Sequence, residues 1–135
     1  MENKCTAREL PSVLALAYLG DARHTLYVRH RLVLRGISKS AELNRESLKY
    51  VTAGAQARLY ETLEPLFTEE ERDVFRRAFN STHLNKPKHT SGKDYRTATG
   101  IEAVIGMLCF LGRDDRLGFL LDTAYKEDEK NDTEN

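Results

Sequence analysis

The fold is decided by the stretch Ala15-Leu16-Ala17-Tyr18-Leu19-Gly20-Asp21-Ala22, which lies in a longer run that is apolar nearly all round a helix. A helix of that kind is normally buried, yet its most apolar part carries the carboxylate of Asp21. Burying an unpaired carboxylate is costly unless a cation or a metal compensates it. Gly20 costs a helix roughly 1 kcal/mol relative to alanine, so we expect it to permit close approach of another backbone. The sequence therefore predicts that a second element meets Asp21 here.

A second apolar helical run, residues 95–111, offers that element. It has one acid in its middle, Glu102, with small residues beside it at Ala98, Ala103 and Gly106. Two such helices predict a packed pair that presents two carboxylates to one site. Hard cations such as Mg²⁺ are held by one or two carboxylates, with waters and substrate phosphate completing the shell. The alternative is a structural ion pair, Asp21 with Arg96 or Glu102 with Arg29.

Length and charge indicate one domain that is not simply polybasic. The chain has 135 residues, enough for a single core. Its 21 basic residues balance its 21 acidic ones, which argues against binding through a general positive charge. Residues 126–135 hold five acids and two lysines without an aromatic residue, a composition typical of disorder. We therefore expect a domain at residues 1–125 and an acidic, disordered tail at residues 126–135.

The cysteines and the apolar runs predict a cytoplasmic protein. Cys5 lies near the terminus and Cys109 lies in an apolar helix, so neither a disulfide nor metal-ligand spacing is indicated. The first residues lack the hydrophobic region of a signal peptide. No apolar run is long and charge-free enough to cross a bilayer, so no membrane partner is expected.

The periodicity predicts an all-α fold. Helical patterns occur at residues 12–35, 41–44, 48–64, 69–79, 95–111 and 114–125, and strand-like alternation is absent from the sequence. Gly36 and Pro65 are the expected stops of the first and third helices. Thr68 and Glu71 form a capping box for the fourth. That helix should turn its apolar side chains inward and its arginines, Arg72, Arg76 and Arg77, outward.

One long non-periodic stretch, residues 80–94, is rich in basic and hydroxyl residues. Loops of this length in compact domains are usually functional or disordered. Residues 72–96 contain seven lysines and arginines against two aspartates. Lysine and arginine together with serine, threonine and asparagine supply contacts to phosphate backbones. A nucleic-acid contact surface and a merely solvated basic loop are both open.

The two acid-bearing helices resemble the signature regions of the ribonuclease III catalytic domain, and most closely those of the short bacterial Mini-ribonuclease III subfamily. The first signature is Leu16-Ala17-Tyr18-Leu19-Gly20-Asp21-Ala22 followed by Leu26-Tyr27-Val28-Arg29. The second is Tyr95-Arg96 followed by Glu102-Ala103-Val104-Ile105-Gly106. The resemblance covers residues 13–121, and both signatures occur in order.

This resemblance implies a ribonuclease III endonuclease-like helical bundle in a twofold homodimer. It implies that Asp21 and Glu102 are the catalytic acids that bind Mg²⁺. The implied substrate is double-stranded RNA, in particular precursor ribosomal RNA at the ends of the large-subunit (23S) molecule, and a large-subunit ribosomal protein is left open as a further partner. The residues that we expect to contact RNA are Arg76, Arg77, Asn80, Lys86, Lys88 and Arg96.

The chain departs from the family pattern at several positions. Full-length ribonuclease III enzymes carry two further acids where this chain has Ala17 and Thr99, so we expect fewer protein ligands and more water at the metal. A glutamate of the family is replaced by Thr25, and a frequent lysine by Gly54. The second arginine of the basic Arg-Gly-Arg-Asn segment is replaced by Phe79. These three changes bear on RNA affinity more than on chemistry.

Three further expectations complete the interpretation. His24, one turn beyond Asp21, is predicted to be a surface histidine. RNA binding should be weak and steeply salt-dependent, since the net charge is zero. The alternatives to a nuclease are a catalytically silent module that keeps the ribonuclease III scaffold for RNA binding or assembly, and a helical adaptor in which both acids pair with arginines.

Overall fold

The computed structural model describes residues 10–81 and 91–134, with side chains as far as residue 126. The elements are helices throughout this part of the chain: α1 (Val13–Leu34), α2 (Ser40–Val51), α3 (Ala53–Leu63), a 3₁₀ turn (Glu64–Leu66), α4 (Glu69–Ser81), α5 (Gly92–Phe110) and α6 (Asp114–Glu134). The predicted all-α fold is confirmed.

Helix α5 is the centre of the bundle, and α1 packs along it at backbone contact. A Cβ atom on Gly20 would lie 1.7 Å from the carbonyl oxygen of Glu102, and one on Gly106 would lie 1.7 Å from the carbonyl oxygen of Leu16. Any side chain at either glycine would therefore separate the two helices. The predicted role of Gly20, close approach of a second backbone, is confirmed.

The prediction that α1 is buried all round is wrong. One stripe faces the core, made of Leu16, Ala17, Gly20, His24, Val28 and Leu32. The opposite face is open, with Tyr18 85% exposed and Leu26 61% exposed, because α1 lies on the outside of the bundle. Asp21, which follows the buried Gly20 in the sequence, is exposed rather than buried.

The second and third helices differ from the sequence-based boundaries. The short helix expected at residues 41–44 continues to Val51, and the amphipathic helix expected from Leu48 is divided at Thr52. Thr52 has extended backbone angles, and its hydroxyl accepts a hydrogen bond from the amide of Ala55 at 3.3 Å. A threonine in an N-cap position restarts a helix by satisfying a free amide. Pro65 lies in the 3₁₀ turn after α3, as its stop signal predicted.

The capping box at the start of α4 is confirmed and is also a tertiary contact. The amide of Thr68 donates to Glu71 Oε1 at 2.9 Å, and the amide of Glu71 donates to Thr68 Oγ1 at 3.2 Å. Arg116 of α6 donates to both carboxylate oxygens of Glu71, at 2.7 and 2.9 Å. Farther along α4, Val74 and Ala78 are buried and the three arginines are exposed, as predicted.

The last two helices are longer than predicted. Helix α5 begins at Gly92, capped by Ser91, whose hydroxyl accepts from the amide of Asp94 at 3.0 Å. Helix α6 continues to Glu134 rather than ending at Tyr125, since lysine and glutamate are good helix formers and no glycine or proline interrupts residues 126–134. The separation of an acidic tail from the domain stays a prediction. In the described part of the chain, no helix combines the length and apolarity needed to cross a bilayer.

Candidate active site

The structure brings Asp21 and Glu102 together, as the sequence predicted. The contact of Gly20 with the Glu102 carbonyl places the next residue of α1 beside the Glu102 side chain. Asp21 acts on the carboxyl group of Glu102 both as a hydrogen-bonding partner and as a negative charge, so the two side chains lie close together. Asp21 faces solvent and Glu102 is half-buried between the helices, so the pair is accessible from one side.

The environment of Glu102 favours its neutral form. Partial burial, the hydrogen bond to Asp21 and the negative charge of Asp21 together raise the pKa of Glu102 to about 9 from an ordinary value of 4.5. Two neighbouring carboxylates repel each other unless a proton or a cation lies between them. The site is therefore electrostatically prepared for a positive ion.

The predicted alternative, in which each acid pairs with an arginine, is not found. No described residue forms an ion pair with Asp21 or Glu102. The guanidinium of Arg96 instead lies over the ring of Phe79, 6.0 Å from its centroid, and Arg29 is exposed. The carboxyl pair is therefore left without a compensating arginine among the described residues.

Two oxygen ligands from the protein suit a hard divalent cation. Carboxylate oxygens are what such cations prefer, and Mg²⁺ keeps several waters in its shell. At the positions of the family's further acids, Ala17 is buried and the hydroxyl of Thr99 donates to the carbonyl of Tyr95 at 2.9 Å. The described residues hold no cluster of three or more acidic, histidine or cysteine side chains that could surround a metal. Water and substrate would therefore complete the shell.

His24 is buried rather than on the surface, which corrects the prediction. It is fully inaccessible, and its Nε2 lies 2.5 Å from the hydroxyl of Tyr125 on α6. Burial lowers the pKa of His24 to about 4, against the opposing charge of Asp21. The ring is therefore neutral and links α1 to α6. The sequence signal for the burial of His24 was its spacing: it lies four residues after Gly20 and four before Val28, on the stripe of α1 that faces the core.

The predicted RNA-contacting residues divide into three sets. Arg76 and Arg77 are exposed on α4 and both reach Asp73, at 2.7 and 3.7 Å. Asn80 is exposed at the end of α4, and Arg96 is exposed on α5. Lys86 and Lys88 lie outside the described residues.

A cavity between α3, α4 and α5 was not anticipated from the sequence. Its walls combine partly buried aromatic rings with basic side chains, and Arg76 is one of the lining residues. The signal was the i, i+4 spacing of Phe75 with Phe79 beside that of Arg72 with Arg76, which gives α4 adjacent aromatic and basic stripes.

Comparison with known proteins identifies the class of this arrangement. Residues 14–112 match the family described as the Ribonuclease III domain. The chain therefore belongs to the ribonuclease III family and is an endoribonuclease, of a class that acts on double-stranded RNA.

The chain is also similar to proteins named Mini-ribonuclease 3. The protein named Mini-ribonuclease 3 of Symbiobacterium thermophilum is 42% identical to this chain over 111 residues, which cover 82% of this chain and 85% of the relative. The corresponding protein of Staphylococcus aureus is 43% identical over 115 residues, covering 84% and 86%. A crystal structure of a Fusobacterium nucleatum protein superposes with a TM-score of 0.82 at 26% identity, covering 92% of this chain and 99% of that one. The resemblance to Mini-ribonuclease III is confirmed.

Proposed function

We propose that the chain is a Mg²⁺-dependent endoribonuclease whose catalytic acids are Asp21 and Glu102. It cleaves double-stranded RNA and matures the ends of large-subunit ribosomal RNA. The observation that supports the site is the pairing of two carboxyl groups, one of them with a raised pKa, without an arginine or lysine partner among the described residues. The relatives named Mini-ribonuclease 3 support the activity.

Phosphodiester hydrolysis needs an activated water, neutralisation of the phosphate oxygens and stabilisation of the leaving oxygen. A bound divalent cation supplies all three kinds of assistance. Asp21 and Glu102 would hold the ion, and both would do so as carboxylates, so Glu102 would be ionised in the metal-bound protein. The contact of Gly20 with α5 fixes the separation of the two carboxylates. His24 takes no proton in this scheme, because burial lowers its pKa to about 4.

The RNA contacts follow from the shape of an A-form duplex. Its deep major groove cannot be read by side chains, so proteins bind its phosphates and 2′-hydroxyls. Arg76, Arg77 and Asn80 on α4 and Arg96 on α5 are exposed for such contacts. Lys86 and Lys88, outside the described residues, stay predicted contacts. Since the chain has zero formal charge, binding should weaken steeply with salt.

Two sites are needed to cut both strands, and a twofold homodimer provides them. The open apolar face of α1 supports this assembly, because Tyr18 and Leu26 lie on either side of Asp21 along the helix. A cytoplasmic location stays a prediction from the cysteines and the apolar runs, and a large-subunit ribosomal protein as a further partner stays a prediction of the resemblance.

The test removes each carboxylate without changing its shape. Asp21→Asn and Glu102→Gln should each reduce Mg²⁺-dependent cleavage of a duplex RNA by more than about 100-fold, because a two-ligand site loses half of its protein donors. The matched control is Asp115→Asn, an exposed acid on α6, which should leave the rate unchanged. Helical circular dichroism should persist in all three variants.

Cleavage at the wild-type rate in both site variants would end the assignment. That result would favour the catalytically silent RNA-binding module or the helical adaptor. No contact among the described residues supports either alternative. Mapping the cut positions on precursor ribosomal RNA tests the substrate separately, since cuts away from the ends of the large-subunit molecule would contradict that part alone.

A further inference from the structure

The cavity between α3, α4 and α5 has the size of a ligand-binding site. Its volume is about 470 Å³, within the roughly 300–1,000 Å³ that small-molecule pockets occupy. It is separate from the carboxyl pair, which lies at the contact of α1 with α5. Its lining is mainly aromatic and basic, with Glu64 and Thr97 as the other polar residues, and the aromatic and basic parts each limit what can bind.

The aromatic wall is a short ladder of rings. Tyr60 and Phe75 stack with centroids 4.6 Å apart and planes inclined by 15°, and Phe75 and Phe79 stand 6.0 Å apart at 26°. A Cβ atom on Gly100 would lie 2.5 Å from the Phe75 ring, so α5 supports the middle ring directly. All three rings are only partly buried. Nearly parallel, supported rings offer a surface for stacking another flat group.

The basic wall makes the cavity attractive to an anion. It consists of Arg72, Arg76 and Lys93. Glu64 pairs with Arg72, and Asp73 pairs with Arg76 at 2.7 Å. Lys93 forms no ion pair with any described residue. The positive charge at the rim is therefore only partly neutralised.

We propose that this cavity binds one unpaired nucleotide of the RNA, with its base on the Phe75–Phe79 ladder and its phosphate at Lys93 and Arg76. The proposal rests on the proposed function, because it assumes that the protein binds duplex RNA. Base–aromatic stacking next to a basic groove is how proteins hold single-stranded nucleic acid. Bases within a duplex do not expose their faces, so the nucleotide must flank the paired region.

The cavity is continuous with the surface assigned to the duplex. Arg76 lines it and also belongs to the predicted RNA contacts, and Arg96 lies over the ring of Phe79. Phe79 itself replaces the second arginine of the family's basic segment. The chain has thus exchanged a charge for a stacking surface at this position, which gives that departure a function.

The experiment measures binding without divalent cations, so that no cleavage occurs. Fluorescence anisotropy compares a blunt duplex with the same duplex carrying a short single-stranded extension. The wild-type protein should bind the extended duplex roughly 5- to 100-fold more tightly, the range expected for one stacked base. Phe79→Leu, which keeps an apolar side chain, and Lys93→Gln should each remove most of this preference and leave the blunt duplex affinity within about twofold.

Phe119→Leu is the matched control. Phe119 is an exposed phenylalanine on α6 with the Arg116 guanidinium 5.4 Å from its ring centroid, which is the arrangement of Phe79 with Arg96. This variant should keep the full preference for the extended duplex. Adenosine monophosphate at millimolar concentration should compete with the extension and leave blunt duplex binding unchanged.

Three results would overturn the proposal. The first is equal wild-type affinity for the two duplexes. The second is an equal loss on both duplexes in Phe79→Leu and Lys93→Gln. The third is saturable binding of adenosine monophosphate that depends on Phe79 while the extension has no effect, which would assign the cavity to a free nucleotide. Failure to bind either duplex would instead contradict the proposed function, so the two failures are distinguishable.

Discussion

Glu102 connects the chemistry of the site to the stability of the protein. Its pKa is raised to about 9 by burial and by Asp21, whereas in the unfolded chain it should titrate near 4.5. Between these values the folded protein binds one more proton than the unfolded chain, so the free energy of unfolding falls as pH rises. His24 acts in the opposite direction between pH 4 and 6.5, since burial lowers its pKa. The effect of Glu102 is therefore isolated between pH 6.5 and 9.

We expect the cation-free protein to lose stability across that range, and Glu102→Gln to lose much less. Mg²⁺ should stabilise the wild type more at pH 9 than at pH 6.5, because binding displaces the proton. Urea unfolding at a series of pH values, with and without Mg²⁺, measures both effects. If the free energy of unfolding depended on pH in the same way in the wild type and in Glu102→Gln, the raised pKa of Glu102 would be contradicted.

At this scale the sequence predicted the meeting of Asp21 and Glu102 because each acid is bracketed by small residues on an apolar helix. It failed on the burial of Asp21 and of His24, since hydrophobic composition does not reveal which face of α1 a neighbour covers. Glu102 lies at the backbone contact and is half-buried, whereas Asp21, one residue beyond Gly20, is exposed.

At the scale of elements, the contact of α1 with α5 depends on glycine. Gly20→Ala would place a Cβ atom 1.7 Å from the backbone oxygen of Glu102, and a helix backbone cannot move aside as a flexible side chain can. We expect a loss of at least about 3 kcal/mol in the free energy of unfolding, measured by urea titration. Any folded fraction should show weakened Mg²⁺ binding, because the helices and their carboxylates are forced apart.

Gly118→Ala on α6 is the control for this substitution. A Cβ atom there would meet no atom within 4 Å, so the change should stabilise the helix by about 0.5–1 kcal/mol. Similar effects of Gly20→Ala and Gly118→Ala on the free energy of unfolding would show that the contact of α1 with α5 does not require glycine at residue 20.

Helix boundaries with a recognisable local signal were predictable, except where the signal lies inside a continuous apolar repeat. The Thr68–Glu71 box and the Gly36 stop are complete within four residues of sequence, and Gly36 adopts the positive φ of 87° that favours glycine. The N-cap threonine Thr52 lies inside an unbroken apolar repeat, so periodicity alone predicted one helix over residues 48–64 and missed the break. The cavity needs side chains from three helices, which no local pattern specifies.

At the scale of the whole molecule, the open face of α1 predicts self-association. The bundle leaves large apolar side chains uncovered along this helix, at Leu14, Tyr18, Leu26, Val33 and Leu34. Exposed apolar surface of this extent is typical of an interaction site. A twofold dimer through α1 would cover the face with itself and place the interface beside Asp21 in both protomers. Light scattering should then give twice the chain mass of 15.4 kDa.

Replacing Tyr18 and Leu26 together by glutamine should convert the dimer to a monomer without unfolding it, because both side chains are largely exposed in the single chain. Phe119→Gln, which changes an exposed aromatic residue on α6, should leave the dimer intact. The monomeric variant keeps Asp21 and Glu102, so it should retain Mg²⁺ binding but cut the two strands of a duplex in separate encounters, with nicked RNA accumulating first. A double variant that stays dimeric would place the interface elsewhere, and a wild type that is monomeric at micromolar concentration would remove the second site on which paired cleavage depends.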